Sequence, residues 1–413
     1  MRLAYLALGL SAITLHAAEA FRPGDEVCVV SPTNDCSVDK ITPSQRDGST
    51  LIYPGGKTRC AYDDWSSPTT NFSTNATFFF QVFPTKAEHK KTKLMLYLDG
   101  GGACLDDATC SFAFLCGSGS DIFFPNAMAL SGGVLNRSDP NNIFNDWNIV
   151  HVPQCTGDVH LGNTIHSGAD QGFEAVFQKP ACLNQNQKMH QNGFENTQSA
   201  FNWALKNFPH VDQLALVGYS AGSLGVQMYS KMVADKWQVE TKKTKYSVLT
   251  DSFVGVAPKN KPAGSLLKYW GACTLPLSFP EAVVAGCLNG TETITGLVSP
   301  LIKQTSYADW LFATSEGDLT QRTFYEIIRQ GILASPFKDM ISVEDFFSNV
   351  TAILDSYKTV SSKITTFFQT GDRHVFFKEN DWASIQSADG KTTLGMVVRD
   401  ILNKKVCPDG GAP

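Results

Sequence analysis

The sequence carries little charge and no strong bias of sign. Asp, Glu, Lys and Arg make up 18% of its 413 residues, and the formal net charge is -5. No basic patch gathers the lysines and arginines, which excludes a general affinity for nucleic acid or an anionic membrane surface. Long apolar runs are missing as well. The one near the start, residues 3–15, is too short to span a bilayer, and no later run is longer. There is no low-complexity tract, no internal repeat and no compositional break that marks a linker, so residues 21–413 are expected to form a single domain.

What is present points to export. Met1-Arg2, the apolar stretch and Ala18-Glu19-Ala20 have the charge, core and small-residue site of a secretory signal peptide covering residues 1–20. All eleven cysteines lie beyond it, and an oxidising compartment would pair most of them, leaving an odd one. Five N-x-S/T sequons, at Asn71, Asn75, Asn136, Asn289 and Asn349, fit a secreted glycoprotein. The mature chain is therefore expected outside the cell, without a membrane span, and as a monomer.

Apolar runs of strand length recur along the chain. Residues 21–62 are polar and turn-rich and read as a leading segment held by disulfides such as Cys28 with Cys36. Strands are predicted at 76–83, 93–98, 148–153, 246–250, 308–314 and 364–369, with helices at 194–207 and 392–402. Alternation of strands and helices at these distances implies an α/β fold of the α/β-hydrolase type, a mostly parallel central sheet covered by helices on both faces.

The chemistry gathers at the ends of those strands. An apolar run, 214–217, leads into Gly218-Tyr219-Ser220-Ala221-Gly222 and then a helix-forming stretch. This is the strand, sharp turn and helix of a nucleophile elbow, with Ser220 at its tip. A serine nucleophile needs a base, and the base an orienting carboxylate, in the order Ser, Asp or Glu, His. Of the eight histidines, His16, His89, His151, His160, His166, His190 and His210 precede Ser220, and His374 alone follows it. For the acid, Asp318 after the second strand beyond the elbow is preferred, Asp251 remains open, and Asp372 is too near His374 in sequence. The triplet Gly100-Gly101-Gly102 directly after a strand can offer backbone N–H groups to an oxyanion, together with Ala221. Asp158, His160 and His166 have the residue types of metal ligands, but nothing completes a site, and no metal or cofactor is expected.

The run Leu98-Asp99-Gly100-Gly101-Gly102-Ala103-Cys104 with Cys110 following, the segments 131–135 and 142–148, the loop Cys155-Thr156-Gly157-Asp158, the G-x-S-A-G elbow and the turn Gly317-Asp318-Leu319-Thr320-Gln321 together resemble the pectin acetylesterase family. The resemblance runs in family order over residues 60–374. It implies Ser220 as nucleophile, Asp318 as acid and His374 as base, with Gly101, Gly102 and Ala221 at the oxyanion. It implies the disulfides Cys104–Cys110, Cys60–Cys155 and Cys273–Cys287. It also implies a carboxylic ester hydrolase, with an acetylated polysaccharide such as pectin as the favoured substrate. A fatty-acyl or small carboxylic ester is the alternative, and an inactive binding protein of the same fold is a third reading. Two departures bear on the pocket and leave the triad intact. Ala103 stands where many members have Trp, and the cysteine loop lacks the C-D-G-S of plant members.

Overall fold

The computed structural model describes residues 24–66, 73–85, 92–112, 132–166 and 188–404. The expected signal peptide, the sequon at Asn71 and the cysteines at 116, 182 and 407 lie outside the described residues. In chain order the strands are β1 (Glu26–Val29), β2 (Thr50–Tyr53), the short pair β3 (Trp65–Ser66) and β4 (Ser73–Thr74), β5 (Phe80–Phe83), β6 (Lys93–Leu98) and β7 (Asn148–Val152). There follow the antiparallel pair β8 (Thr164–His166) and β9 (Met189–Gln191), then β10 (Gln213–Tyr219), β11 (Lys245–Asp251), β12 (Asp309–Ser315) and β13 (Ile364–Gln369).

Nine of these strands form one sheet in the order β1-β2-β5-β7-β6-β10-β11-β12-β13. Only β5 runs against its neighbours, pairing antiparallel with β2 and β7. The sheet is thus mostly parallel, and its middle strands are apolar along their length because both faces are covered. Leu94, Leu96 and Leu98 of β6 and Leu214 and Leu216 of β10 pack on one face, where helix Ala221–Trp237 lies. Met95, Tyr97, Ala215 and Val217 pack on the other, against Val398 and Ile401 of helix Leu394–Asn403. The alternation along each strand sends successive side chains into two different cores.

The leading segment departs from its expected form. It holds the predicted Cys28–Cys36 disulfide, but it also supplies β1 and β2 to the end of the main sheet. The polar residues that disguise it are structural: Ser49 Oγ donates to Asp47 at 2.6 Å and accepts from Gln81 Nε2 at 2.8 Å, all three side chains being buried. The three disulfides implied by resemblance are also present: Cys60–Cys155, Cys104–Cys110 and Cys273–Cys287. Among the described residues no helix is long and apolar enough to cross a membrane.

In a parallel sheet the loops after successive strands emerge at one edge. The turns after β6, β10, β11, β12 and β13 therefore meet there, and they carry the residues singled out from the sequence.

Candidate active site

The elbow is built by close approach. Strand β10 ends at Tyr219 and the helix Ala221–Trp237 follows, with Ser220 between them at φ 52° and ψ -121°. A left-handed φ is unfavourable for serine and is tolerated where the surroundings fix it. Gly222 shows how tightly they do so: a Cβ on it would stand 2.2 Å from the carbonyl oxygen of Leu98. The Ser220 N–H donates to the Asp251 carbonyl at 2.8 Å, tying the elbow to the next strand.

His374, in the turn after β13, faces Ser220 and Asp318 together. Its Nδ1 lies 3.0 and 2.9 Å from the two carboxylate oxygens of Asp318, and its Nε2 lies 2.9 Å from Ser220 Oγ. A carboxylate only accepts, so Nδ1 carries the proton and Nε2 is left to accept from the serine hydroxyl. Asp318 is fully buried and caps the helix Leu319–Gln330, accepting from the Gln321 N–H at 2.9 Å and from Gln321 Nε2 at 2.8 Å. These contacts hold the carboxylate toward the imidazole. The three residues preferred from the sequence are thus brought together. Asp251 is directed elsewhere, and Asp372 contributes its carbonyl, which accepts from the Leu319 N–H.

The glycine loop after β6 lies directly over the elbow. A Cβ on Gly100 would be 2.4 Å from the ring of Tyr219 and 3.1 Å from the Ser220 Cβ, so only glycine lets the loop come this near. Its carbonyls are fastened from behind. His160 Nε2 donates to Asp99 O at 2.8 Å, Gln154 Nε2 to Gly102 O at 2.7 Å, and Trp270 Nε1 to Cys104 O at 2.7 Å. The Tyr219 hydroxyl donates to the Asp99 carboxylate, linking the ends of β6 and β10.

Burial sets the protonation of several groups around the site. It lowers His160 to about 4, so the imidazole that holds Asp99 O is neutral near pH 7. It raises Asp158 and Asp251 to about 6 each. The side chains of Asp158, His160 and His166 turn to separate partners. Asp158 accepts from Thr156 and the Gly193 N–H, while His166 Nε2 meets Gln191 and its ring stacks on Tyr269.

Beside Ser220 and His374 opens a cavity of about 70 Å³. Its wall is mostly apolar and includes Ala103, Leu224, Phe253, Trp270, Phe324 and Ile328. Sequence reasoning missed most of these residues. The helix Leu319–Gln330 contributes Gln321, Phe324, Tyr325 and Ile328 to the wall, a helical spacing that was readable, but nothing in the sequence tells a cavity-facing stripe from a core-facing one.

A parallel sheet with a strand, serine and helix elbow at its carboxyl edge defines the α/β-hydrolase class, and the described structure has that form. Within it, residues 74–254 match the pectinacetylesterase family model, the family that the motifs resemble. Two crystal forms of the Wnt deacylase Notum from Drosophila have a similar structure, each with a TM-score of 0.53 and 17% sequence identity, over 83% of this chain and 93% of that one. At that identity the likeness concerns the fold. None of the curated proteins matches the chain significantly. The family match supports a carboxylic ester hydrolase.

Proposed function

We propose that the protein is a serine carboxylic-ester hydrolase whose substrate carries an apolar acyl chain longer than acetyl. Ser220 Oγ attacks the ester carbonyl while His374 Nε2 takes its proton, and Asp318 holds the imidazole and stabilises the imidazolium that forms. Backbone N–H groups of Gly101, Gly102 and Ala221 receive the oxyanion, a contribution of ~3 kcal/mol per donor in the transition state. His374 then gives the proton to the leaving alcohol, and water activated by the same nitrogen hydrolyses the acyl-enzyme.

The observation that carries the acyl assignment is the cavity, which adjoins the Ser220–His374 pair and is walled mostly by apolar side chains. Each methylene transferred into such a wall contributes about 0.8 kcal/mol. An acetyl group offers a single methyl to that wall. The pectinacetylesterase match keeps the acetylated polysaccharide as a second reading. Hydrolysis of p-nitrophenyl acetate, butyrate and octanoate, beside acetate release from acetylated pectin, separates the two. The proposal expects kcat/KM to rise at least about tenfold from acetate to octanoate. The highest activity on the acetyl esters would support the polysaccharide instead.

Export completes the reading. The leader at residues 1–20, the four disulfides among the described residues and the exposure of Asn75, Asn289 and Asn349 all suit an extracellular glycoprotein. Peptide mapping of the secreted chain would show cleavage after Ala20 and glycans on these asparagines.

A further inference from the structure

Two buried side chains behind the histidine turn have no part in the proton relay, yet they receive the three amides that follow His374. Asp251 ends β11 and Ser252 follows it; both are 0% exposed. Ser252 Oγ accepts from the Val375 N–H at 2.8 Å and donates to Asp251 Oδ1 at 2.7 Å. Asp251 Oδ2 accepts from the Phe376 and Phe377 N–H groups at 2.8 and 2.7 Å. Every partner of the carboxylate is a donor, so this position needs an acceptor at both oxygens.

The turn that these bonds hold is strained. Val375 has φ 63°, a left-handed conformation unfavourable for a β-branched residue and maintained only when the surroundings over-determine it. Ser252 itself has φ 59°. The same Asp251 also fixes the other member of the reacting pair, since its carbonyl accepts the Ser220 N–H at 2.8 Å. One residue therefore holds the nucleophile by its main chain and the histidine turn by its side chain.

We propose that Asp251 and Ser252 are positioning residues, which set the separation of Ser220 Oγ and His374 Nε2 by clamping the backbone after His374. The inference rests on the reading of Ser220 and His374 as the reacting pair. Loss of the clamp lets Val375 relax toward a negative φ, and the shift of its backbone displaces the adjoining His374. Displacement of about 1 Å between reacting groups typically costs on the order of a hundredfold in rate.

The test normalises turnover to active sites. Wild type, Asp251→Asn, Ser252→Ala and Asp251→Asn/Val375→Gly proteins are titrated with a fluorophosphonate, the labelled residue is mapped, and kcat and KM on p-nitrophenyl butyrate are measured per labelled site. Asp251→Asn is expected to lower kcat per labelled site about 10- to 100-fold with KM within about threefold, and Ser252→Ala to lower it about tenfold. Val375→Gly, which adopts the left-handed turn without strain, is expected to restore part of the Asp251→Asn loss. A merely structural role would reduce the labelled fraction and the melting temperature but leave kcat per labelled site at the wild-type value, and that result overturns the inference. Should Asp251→Asn fold poorly, Ser252→Ala carries the same comparison with the carboxylate in place. If wild-type Ser220 is not labelled at all, the triad reading fails and the inference falls with it.

Discussion

The Nε2 of His374 lies 2.9 Å from the Oγ of Ser220 across 154 residues of chain. The imidazole is held in that tautomer by Asp318. Removing the hydroxyl in Ser220→Ala is expected to abolish ester hydrolysis. Asp318→Asn, which leaves the size of the side chain but loses the orienting charge, is expected to lower kcat by about 10³- to 10⁴-fold. Steady-state kinetics on p-nitrophenyl esters checks both, with circular dichroism to show that the variants fold.

Gly222 is the position where the elbow tolerates least. A methyl group there would meet Leu98 O at 2.2 Å and Asp99 O at 2.5 Å, so the strand end bearing the glycine loop must move. Gly222→Ala is expected to destabilise the fold by about 1–3 kcal/mol and to lower kcat as well. Denaturant unfolding and kinetics on the same preparation measure the two effects.

Much of this site was legible in the sequence, for a physical reason. Strands buried on both faces must be apolar almost throughout, so 93–98 and 148–153 stand out, and the residues after them lie at one edge of the sheet. The order of serine, acid and histidine then left few candidates. Short strands such as Thr50–Tyr53 lack that signal, because their stability draws on the buried Asp47, Ser49 and Gln81 side chains beside them. Asp251 was visible as a carboxylate at a strand end, but which amides it receives depends on how a distant turn folds back. The wall of the cavity was hidden for the same reason.

The wall of the cavity gives a third prediction. Ala103 lines it next to the glycine loop, and an indole there would occupy part of the space open to an acyl chain. Ala103→Trp is expected to lower kcat/KM for the octanoyl ester at least about tenfold while leaving the acetyl ester within about threefold. A parallel loss on both esters would place the acyl chain elsewhere.

His160 makes the fold sensitive to acid. Its pKa falls from 6.5 to about 4 on burial, so the unfolded chain binds more protons than the folded one between those values. Its contribution to stability is complete above about pH 6.5 and is lost as the pH falls toward 4, by up to about 3 kcal/mol. Asp158 and Asp251 act with the opposite sign. Raised from 3.8 to about 6, they bind more protons in the folded state, and their contribution declines as the pH rises through that window. Comparing wild type with His160→Asn isolates the histidine. The stability difference between them, from urea unfolding, is expected to grow from pH 4 to pH 6.5.

The central claim is that Ser220 carries the acyl group between the two halves of the reaction. Acid quenching during turnover of p-nitrophenyl octanoate, followed by proteolysis and mass spectrometry, tests it most directly. The expected result is an octanoyl adduct on the peptide containing Ser220 and none in Ser220→Ala protein. Hydrolysis by Ser220→Ala at the wild-type rate, or an adduct on another residue, would contradict it.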